Sequence, residues 1–431
     1  MLLVTAGVPL VAAYLWRTAL LPAITGALPD DFRVNYMAAA AKISAGQDPY
    51  NLCVLQGCAN TAHRFTPLPL AGAQYVTPAP VAWMLQPLLG ASPLAQLAVV
   101  IFALQLSMVV FVLTTFRALG VRDWQLAVFL VLVAISFEPV IGNFDEGQIN
   151  LVLAALSGVW LLGWVAGDRW WGGAALGVSV ALKLLQAPLA LLLLWGRRWL
   201  MLAGAAVAGL LLWAVAVPQY LPEYLFNVAP VLAGGTGLFE NHSPGGTVAR
   251  LLAPGTFFGA VRDTPPLGRL ITAGISLAVI VVTFWALRRP RADRRGRALE
   301  AAAMVAAGPL VASYSWGTHL VLLLLPMFVL IVWSLRRRDW LVLGLVAASW
   351  LLIGPGHKLL QALVVSGYSD LLVLRLMAEF GVVGIIAIWV ASLLAVRRER
   401  SADGLDPADE ERPGSRQSDR ARDPDAVAEF V

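Results

Sequence analysis

Charged residues are scarce in this chain of 431 residues. Asp, Glu, Lys and Arg make up 13% of it, whereas soluble domains average about 25%. The apolar share is 59%, against about 45–50% in soluble domains. A water-soluble fold has no use for so much apolar surface, so most of the chain is expected in a lipid bilayer. The net charge of +5 comes from short basic clusters between apolar runs, which is typical of membrane proteins and not of nucleic-acid-binding ones.

Cysteine and lysine are also rare. Cys53 and Cys58 are the only cysteines, and their C-x4-C spacing suits a disulfide in an oxidising compartment, with two free thiols as the alternative. Two cysteines alone make no metal site, and we predict neither a metal nor a cofactor. Lysine occurs only at Lys42, Lys183 and Lys358. No internal repeat is visible.

Long apolar runs fill most of the sequence. A helix needs about 20 mostly apolar residues to cross hydrocarbon, where it satisfies its own backbone amides. We therefore predict an all-α polytopic transmembrane bundle of about 10–12 spans, in which residues 171–195 form two short helices that turn near Lys183. A cleaved signal peptide is the alternative for residues 1–27. The other predicted spans are residues 2–24, 94–115, 124–140, 149–165, 201–217, 267–287, 298–313, 320–335, 340–353 and 371–395.

Arginine clusters give the predicted orientation, because basic residues concentrate in cytoplasmic loops. We predict a multi-pass protein of the cell (inner) membrane with its site on the extracytoplasmic side. Residues 1–399 form the predicted transmembrane catalytic domain. Residues 400–431 are rich in acidic residues and helix breakers, and we predict that they form a disordered cytoplasmic tail. The predicted outer segments are 25–77, 141–148, 218–266, 314–318 and 354–370.

The first outer loop carries two adjacent acids in "LPDDFRVNYM". Residues 32–43 are predicted to form a short helix that ends near Gly46. Asp30 or Asp31 is expected to cap its first turn. One cap needs one carboxylate, so the second is available as a general base.

Two further polar positions lie next to apolar runs. In "GNFDEGQINL" we predict a polar turn at Asp145 and Glu146, after which Gln148 and Asn150 either pair neighbouring helices or contact a ligand. Lys183 lies deep among apolar residues. A buried lysine needs a partner such as a phosphate or the Glu146 carboxylate, unless it snorkels to the surface.

Two later outer segments contain histidine. "FENHSPGGTVARLL" suits a tight polar turn at Asn241 and Ser243 that leads into a helix, and "NHS" also matches the weak glycosylation pattern. "SYSWGTH" brings Trp316 and His319 to the mouth of two spans. His319 is either an interfacial hydrogen-bonding residue or a proton shuttle.

Several segments in order resemble the GT-C class of membrane glycosyltransferases, and specifically the polyprenyl-phosphate-mannose-dependent α-(1,2)-mannosyltransferases. They are "DFRVNYMAAAAKISAGQDPY", "YVTPAPVAWMLQPLL", "EGQINLVLAAL", "GVSVALKLLQAPLALLLLWGRRW", "NHSPGG" and "SYSWGTH". The resemblance implies a hexosyltransferase that moves a mannose-like sugar, with inversion, from a polyprenyl-phosphate donor to an extracytoplasmic glycolipid or glycan acceptor. The other implied partner is the lipid bilayer, and no nucleic acid is involved.

The resemblance also implies roles for individual residues. Asp31 would be the catalytic base, with Asp30 as the fallback, and His319 would assist. Lys183, with Arg250 or Arg17, would stabilise the departing lipid phosphate. The other implied donor-binding residues are Gln148, Asn150, Asn241, Ser243 and Trp316. The chain departs from the family in two places. Family members commonly carry an acid or a second histidine within "SWxHH", where this chain has Gly317 and Thr318. The family's Tyr-Pro-Pro type motif is loosened to "YVTPAP".

Two alternatives remain open. Another GT-C branch would transfer glucose or an arabinose-like pentose. A transporter or flippase of lipid-linked glycans would instead distribute polar residues through the bilayer depth and show internal inverted symmetry.

Overall fold

The computed structural model describes residues 2–50, 75–233, 235–252, 264–368 and 370–402. Over these ranges every regular element is a helix, which confirms the predicted all-α class. Cys53, Cys58 and the predicted tail lie outside the described residues, apart from the first residues of that tail.

Seven helices in the described part of the chain are long and apolar enough to cross a membrane. A bent pair, Trp124–Ile135 and Glu138–Glu146, makes an eighth if it counts as one span. The polytopic prediction is thereby confirmed. The seven are Gly7–Thr25, Pro93–Leu119, Trp199–Ala216, Pro266–Ala286, Gly317–Arg337, Trp340–Val365 and Leu371–Ser401.

Other helices of the bundle are shorter or less apolar. Asn150–Val165, Trp170–Leu182 and Leu184–Trp195 are apolar but fall below the length of a full span. Arg294–Val311, where we predicted a span at 298–313, begins with a basic turn and is buried along almost all of its length. The larger predicted number of spans counted these segments as crossings. The other short helices are Phe32–Met37, Ala38–Ser44, Ala79–Leu85, Gln86–Leu88, Pro218–Tyr220, Leu221–Glu223, Tyr224–Val228, Ala229–Ala233 and Pro244–Leu252.

Two short helices are formed by the segment 171–195, as predicted. Trp170–Leu182 stops at Lys183, whose backbone is extended with φ −164° and ψ 128°. A short 3-10 turn follows, and Pro188, at the first turn of the next helix, needs no amide partner there. The break therefore places Lys183 between two short helices, with its own amide still bonded to the Ser179 carbonyl at 2.9 Å.

Close glycine contacts fix the first of these helices. A Cβ at Gly173 would lie 1.8 Å from the Met201 carbonyl oxygen, and one at Gly177 would lie 2.0 Å from that of Ala205. The G-x-x-x-G spacing thus lets Trp170–Leu182 lie directly against Trp199–Ala216, the small-residue packing common between membrane helices.

The segment before Gln148 differs from its prediction. We predicted a polar turn at Asp145 and Glu146, but Glu138–Glu146 is a helix bent by 50° from Trp124–Ile135. Pro139 suits the first turn of a new helix, and the helix ends at Gly147, whose φ of +69° is the left-handed conformation that glycine adopts readily. Asp145 and Glu146 therefore belong to the last helical turn.

The bundle has two chemically different ends. Helix Asn150–Val165 carries Asn150 at its start, while the Trp164 indole near its end donates to the Arg297 carbonyl at 2.9 Å. Sixteen residues at about 1.5 Å each separate these ends by roughly 24 Å. The arginine end also contains Arg294, which donates to the Ala118 carbonyl at 2.8 Å, and the Arg295–Glu399 pair at 3.1 Å. Ser313 and Ser315 follow the opposite end of Arg294–Val311.

An aromatic cluster fastens the first loop to the bundle. Tyr36 packs edge-on against Tyr75 at 6.3 Å between ring centroids. Tyr50 lies 5.8 Å from both Tyr75 and Tyr224. All four rings are buried, so the helix that follows Asp31 is held firmly against the spanning helices.

Candidate active site

Lys183 meets the start of a neighbouring helix. Its ammonium donates to the Asn150 side-chain oxygen at 3.0 Å and to the Gln148 side-chain oxygen at 3.3 Å. Gln186 fixes the local geometry, because Ser179 donates to its oxygen at 2.9 Å while its amide donates to the Leu153 carbonyl at 3.2 Å. The break in the helix thereby directs the lysine toward Gln148 and Asn150.

Gln148 connects this lysine to Asp31. Its amide nitrogen donates to Asp31 Oδ2. Its side-chain oxygen, besides accepting from Lys183, accepts from the Tyr36 hydroxyl at 2.7 Å. Asn35 donates to Asp31 Oδ1 at 2.7 Å. A carboxylate and an ammonium are thus held on either side of one amide.

Asp31 and Asp30 have different surroundings. The Asp31 side chain makes no capping bond to the following helix, so the predicted cap is wrong for this residue and its carboxylate turns to Gln148 and Asn35 instead. The Asp30 side chain is 88% exposed and pairs with Arg33 at 3.2 Å. Only Asp31 therefore belongs to the lysine–glutamine network.

Burial raises the pKa of the Asp31 carboxyl above its ordinary value. The hydrogen bond from Gln148, the charge of Lys183 and the hydrogen bond from Asn35 act in the opposite direction. A raised pKa makes the ionised carboxylate a stronger proton acceptor. Asp31 therefore has the environment of a general base.

Two glutamates surround the same place. Glu146 and Glu240 both interact electrostatically with Asp31. Burial, followed by the charge of Asp31, raises the pKa of Glu240, which also hydrogen-bonds to Gln361. Among the described residues no three Asp, Glu, His or Cys side chains are grouped closely enough to hold a metal ion. The site thus places two further carboxyl groups near Asp31, with Lys183 as the neighbouring cation.

Arg17 belongs to a separate ion-pair network. It pairs with Asp145 at 2.5 Å and with Glu138 at 3.7 Å. Lys358 pairs with the other oxygen of Glu138 at 2.7 Å. These contacts tie the first helix to Glu138–Glu146 and to the helix that contains Lys358, so Arg17 is already engaged by protein carboxylates.

Asn241 and Ser243 form the predicted tight turn. Asn241 donates to the carbonyls of Thr236 and Ser313 at 2.8 and 3.1 Å. Ser243 donates to the Ser313 carbonyl at 2.9 Å and accepts from the Gly246 amide at 3.1 Å. Both side chains are buried and hydrogen-bonded to backbone groups, so they stabilise the local fold.

Arg250 is likewise bound by the protein. Its Nε donates to Glu379 at 2.7 Å, and its Nη1 donates to the carbonyls of Leu238 and Asn241 at 3.1 and 3.0 Å. The residue is only 4% exposed. Its guanidinium therefore stabilises the turn before helix Pro244–Leu252.

His319 lies near the start of the spanning helix Gly317–Arg337 and lines a pocket together with Gln186 and Ser315. The Trp316 amide donates to His319 Nδ1 at 3.3 Å. An Nδ1 that accepts puts the proton of the neutral ring on Nε2. Lys183 is close enough to act on this imidazole electrostatically, so His319 borders the lysine side of the site.

Sequence reasoning missed several partners. Asn35 follows Asp31 by one helical turn, so the i, i+4 spacing could have identified it. Tyr36 contacts Gln148 and Glu240 interacts with Asp31, although the two residues of each pair are far apart in the chain. The same is true of the buried contact between His242 and His357, whose ring nitrogens are 3.1 Å apart. No local signal in the sequence reveals such contacts.

These features define a class of protein: a polytopic α-helical membrane protein with a half-buried carboxylate and a lysine joined through one amide at one end of its bundle. Residues 75–313 match the model of glycosyltransferase family 87. The match covers more than half of the chain, which therefore belongs to that family.

Curated relatives extend the comparison. The chain is 32% identical over 234 residues to a polyprenol-phosphate-mannose-dependent alpha-(1-2)-phosphatidylinositol pentamannoside mannosyltransferase of Mycobacterium tuberculosis, covering 51% of each chain. It is 31% identical over 247 residues to a polyprenol-phosphate-mannose-dependent alpha-(1-2)-phosphatidylinositol mannoside mannosyltransferase of Mycolicibacterium smegmatis, covering 53% of this chain and 51% of the relative. An alpha-(1->3)-arabinofuranosyltransferase of Mycobacterium tuberculosis is 30% identical over 135 residues, 30% of this chain and 29% of the relative. The chain spans about half the length of the mannosyltransferases it matches.

Proposed function

We propose that the chain is a membrane glycosyltransferase that moves a mannose-like hexose from a polyprenyl-phosphate donor to a glycolipid or glycan acceptor. The observation that carries the proposal is the Lys183–Gln148–Asp31 connection. Sugar transfer from a lipid phosphate needs a proton acceptor for the attacking hydroxyl and a positive charge for the phosphate that leaves. This connection supplies both within one hydrogen-bonded unit.

Asp31 takes the proton in the proposed reaction. The acceptor hydroxyl loses its proton to the Asp31 carboxylate, and its oxygen attacks the anomeric carbon of the donor. The bond between that carbon and the phosphate oxygen breaks, and its electron pair leaves with the polyprenyl phosphate. A single displacement inverts the anomeric centre, so a β-linked donor gives an α-linked product.

Lys183 stabilises the departing phosphate by its charge. Gln148 orients both Asp31 and Lys183, and Asn150 holds the lysine from its other side. His319, which hydrogen-bonds to the Tyr314 backbone, borders Lys183 and would have to release that bond to contact the phosphate or the sugar. Asn241, Ser243, Trp316 and Arg250 act through the protein framework that shapes this surface.

The proposed location of this site is the extracytoplasmic face of the cell membrane. Support comes from the arginine-rich loops, which collect at the other end of the bundle and are typical of the cytoplasmic side. A variant with Cys53 and Cys58 replaced by serine and Arg33 replaced by cysteine tests it with a membrane-impermeant maleimide on intact cells. Labelling of Arg33→Cys is expected, and a cysteine at Arg122 serves as the opposite control. If the Arg33→Cys thiol reacted only after the cells were permeabilised, the proposed orientation would be wrong.

A transfer assay with defined donors tests the activity. Purified protein in vesicles is given polyprenyl-phosphate mannose, glucose or arabinose together with a glycolipid acceptor, and products are separated and their anomeric configuration determined. We expect the mannose donor to be used with inversion. A pentosyl product would favour the second candidate, for which the arabinofuranosyltransferase relative is the reason. Movement of intact donor across the bilayer without cleavage would instead identify a flippase.

A further inference from the structure

One stripe of the spanning helix Pro266–Ala286 is polar. The helix presents apolar side chains outward, with Leu267 and Leu270 61% and 71% exposed. Arg269, Thr272 and Ser276 share another face, because positions i, i+3 and i+7 lie along one side of a helix. Within this stripe, Ser276 donates to the Val311 carbonyl at 3.3 Å, whereas Arg269, in the first turn of the helix, is exposed.

The stripe forms one wall of a pocket whose opposite wall is made of small residues and backbone, including Ala233, Gly235, Gly245 and Ser313. A Cβ on Gly245 would lie 3.2 Å from Thr272 Cγ2, so glycine at this position leaves the pocket open.

Arg269 is fixed beside this space. Its Nε donates to the Thr264 carbonyl at 2.9 Å, and Thr264 also lines the pocket. Of the described residues that line it, none is acidic. The pocket thus combines one guanidinium with several hydroxyls and carries a net positive charge, a combination that suits an anion bearing additional oxygen atoms.

The pocket is distinct from the proposed reaction site. It shares no lining residue with the Asp31–Gln148–Lys183 connection. Asn241 and Ser243 both donate to the carbonyl of Ser313, which lines the pocket. The chain then continues from Ser313 to His319, on which Lys183 acts electrostatically. The two places are therefore joined through the protein but would hold different groups.

We propose that this pocket binds the phosphodiester headgroup of an anionic membrane lipid. Arg269 would contact the phosphate oxygens, and the Thr272 hydroxyl would contact glycerol or sugar oxygens. Ser276, whose hydroxyl donates to the Val311 carbonyl, would accept a hydrogen bond from a headgroup hydroxyl. The acyl chains would lie along the outward apolar side chains, such as Leu270. The glycolipid acceptor of the proposed reaction would carry such a headgroup. That last step rests on the proposed function, whereas the binding itself does not.

Lipid binding by the full chain tests the proposal directly. Purified protein in detergent is titrated with phosphatidylglycerol, and bound lipid is counted by native mass spectrometry. Arg269→Gln removes a charge-assisted contact and is expected to weaken binding about tenfold or more. Thr272→Val keeps the guanidinium and is expected to weaken binding about two- to fivefold. Lys42→Gln removes one positive charge outside the pocket and is expected to bind like the wild type.

Three results would overturn the assignment. The pocket would not be the lipid site if Thr272→Val bound the lipid as well as wild type and Arg269→Gln either bound it equally well or failed to fold. If Lys42→Gln weakened lipid binding as much as Arg269→Gln, the effect would be one of net charge and not of the pocket. Displacement of the lipid by an equal concentration of inorganic phosphate would identify a bare phosphate site. Sugar transfer to a glycolipid acceptor is measured separately, so failure of that reaction with intact lipid binding would count against the proposed function alone.

Discussion

Replacing Asp31 with asparagine changes one atom of the network and removes its proton acceptor. An asparagine oxygen can still accept from Gln148 or from Asn35, which both donate to Asp31, so one of two hydrogen bonds is lost. That loss costs about 0.5–1.5 kcal/mol of stability. The loss of a general base lowers a reaction rate by about 10²- to 10⁴-fold, or roughly 3–5 kcal/mol of barrier.

The assay compares the turnover of purified wild type, Asp31→Asn and Asp30→Asn with the same lipid donor and acceptor. Asp30→Asn is the matched control, because the exposed Asp30 side chain pairs only with the neighbouring Arg33 among its described contacts. We expect it to keep activity within about twofold, since such surface pairs contribute little. Membrane expression and thermal unfolding of both variants should stay close to wild type. Near-normal turnover of Asp31→Asn with a dead Asp30→Asn would refute the residue assignment, and normal turnover of both would refute the mechanism.

Three further predictions test neighbouring residues. Lys183→Met removes the positive charge beside the site and should lower turnover by about 10²- to 10³-fold; an unchanged rate and donor KM would rule out phosphate contact. Activity should be lost as pH falls through the Asp31 pKa, which burial raises above the ordinary aspartate value. Gln148→Leu removes a hydrogen bond that lowers this pKa, so its pH–rate profile should lose activity at a higher pH than wild type, and a shift toward lower pH would contradict the network. Glu379→Gln breaks the ion pair between the buried Arg250 and the partly exposed Glu379. It should destabilise the protein by about 1–3 kcal/mol in thermal unfolding while leaving the pH–rate profile unchanged.

Much of the helical architecture could be predicted from the sequence, because long apolar runs have few other uses. The break near Lys183 was also predictable, since a lysine, a glutamine and a proline interrupt one apolar segment. Burial of Arg294–Val311 was harder to predict. Its basic first turn and alanine-rich body resemble an ordinary span start, and only contacts with several neighbouring helices make it a core element.

The site was partly predictable for a similar reason. Asp31, Gln148 and Lys183 stand out as polar residues beside apolar runs, and the structure brings all three together. The prediction of a turn at Asp145 and Glu146 was wrong. Pro139 and Gly147 mark the two ends of a helix, and the many polar residues between them are more typical of a turn. Glu240 and Tyr36 reach the site through tertiary packing, which no spacing rule encodes.

The two short helices on either side of Lys183 affect how far a substrate must travel. Trp170–Leu182 has 13 residues and is about 20 Å long, whereas the hydrocarbon layer is about 30 Å thick. With the arginine end at one boundary of that layer, the lysine lies about 10 Å short of the other boundary. A polyprenyl-linked sugar would therefore descend into a depression in the bilayer instead of being lifted out of it. Thicker membranes would deepen that depression, so acyl-chain length would tune access to the lysine without any change in the protein.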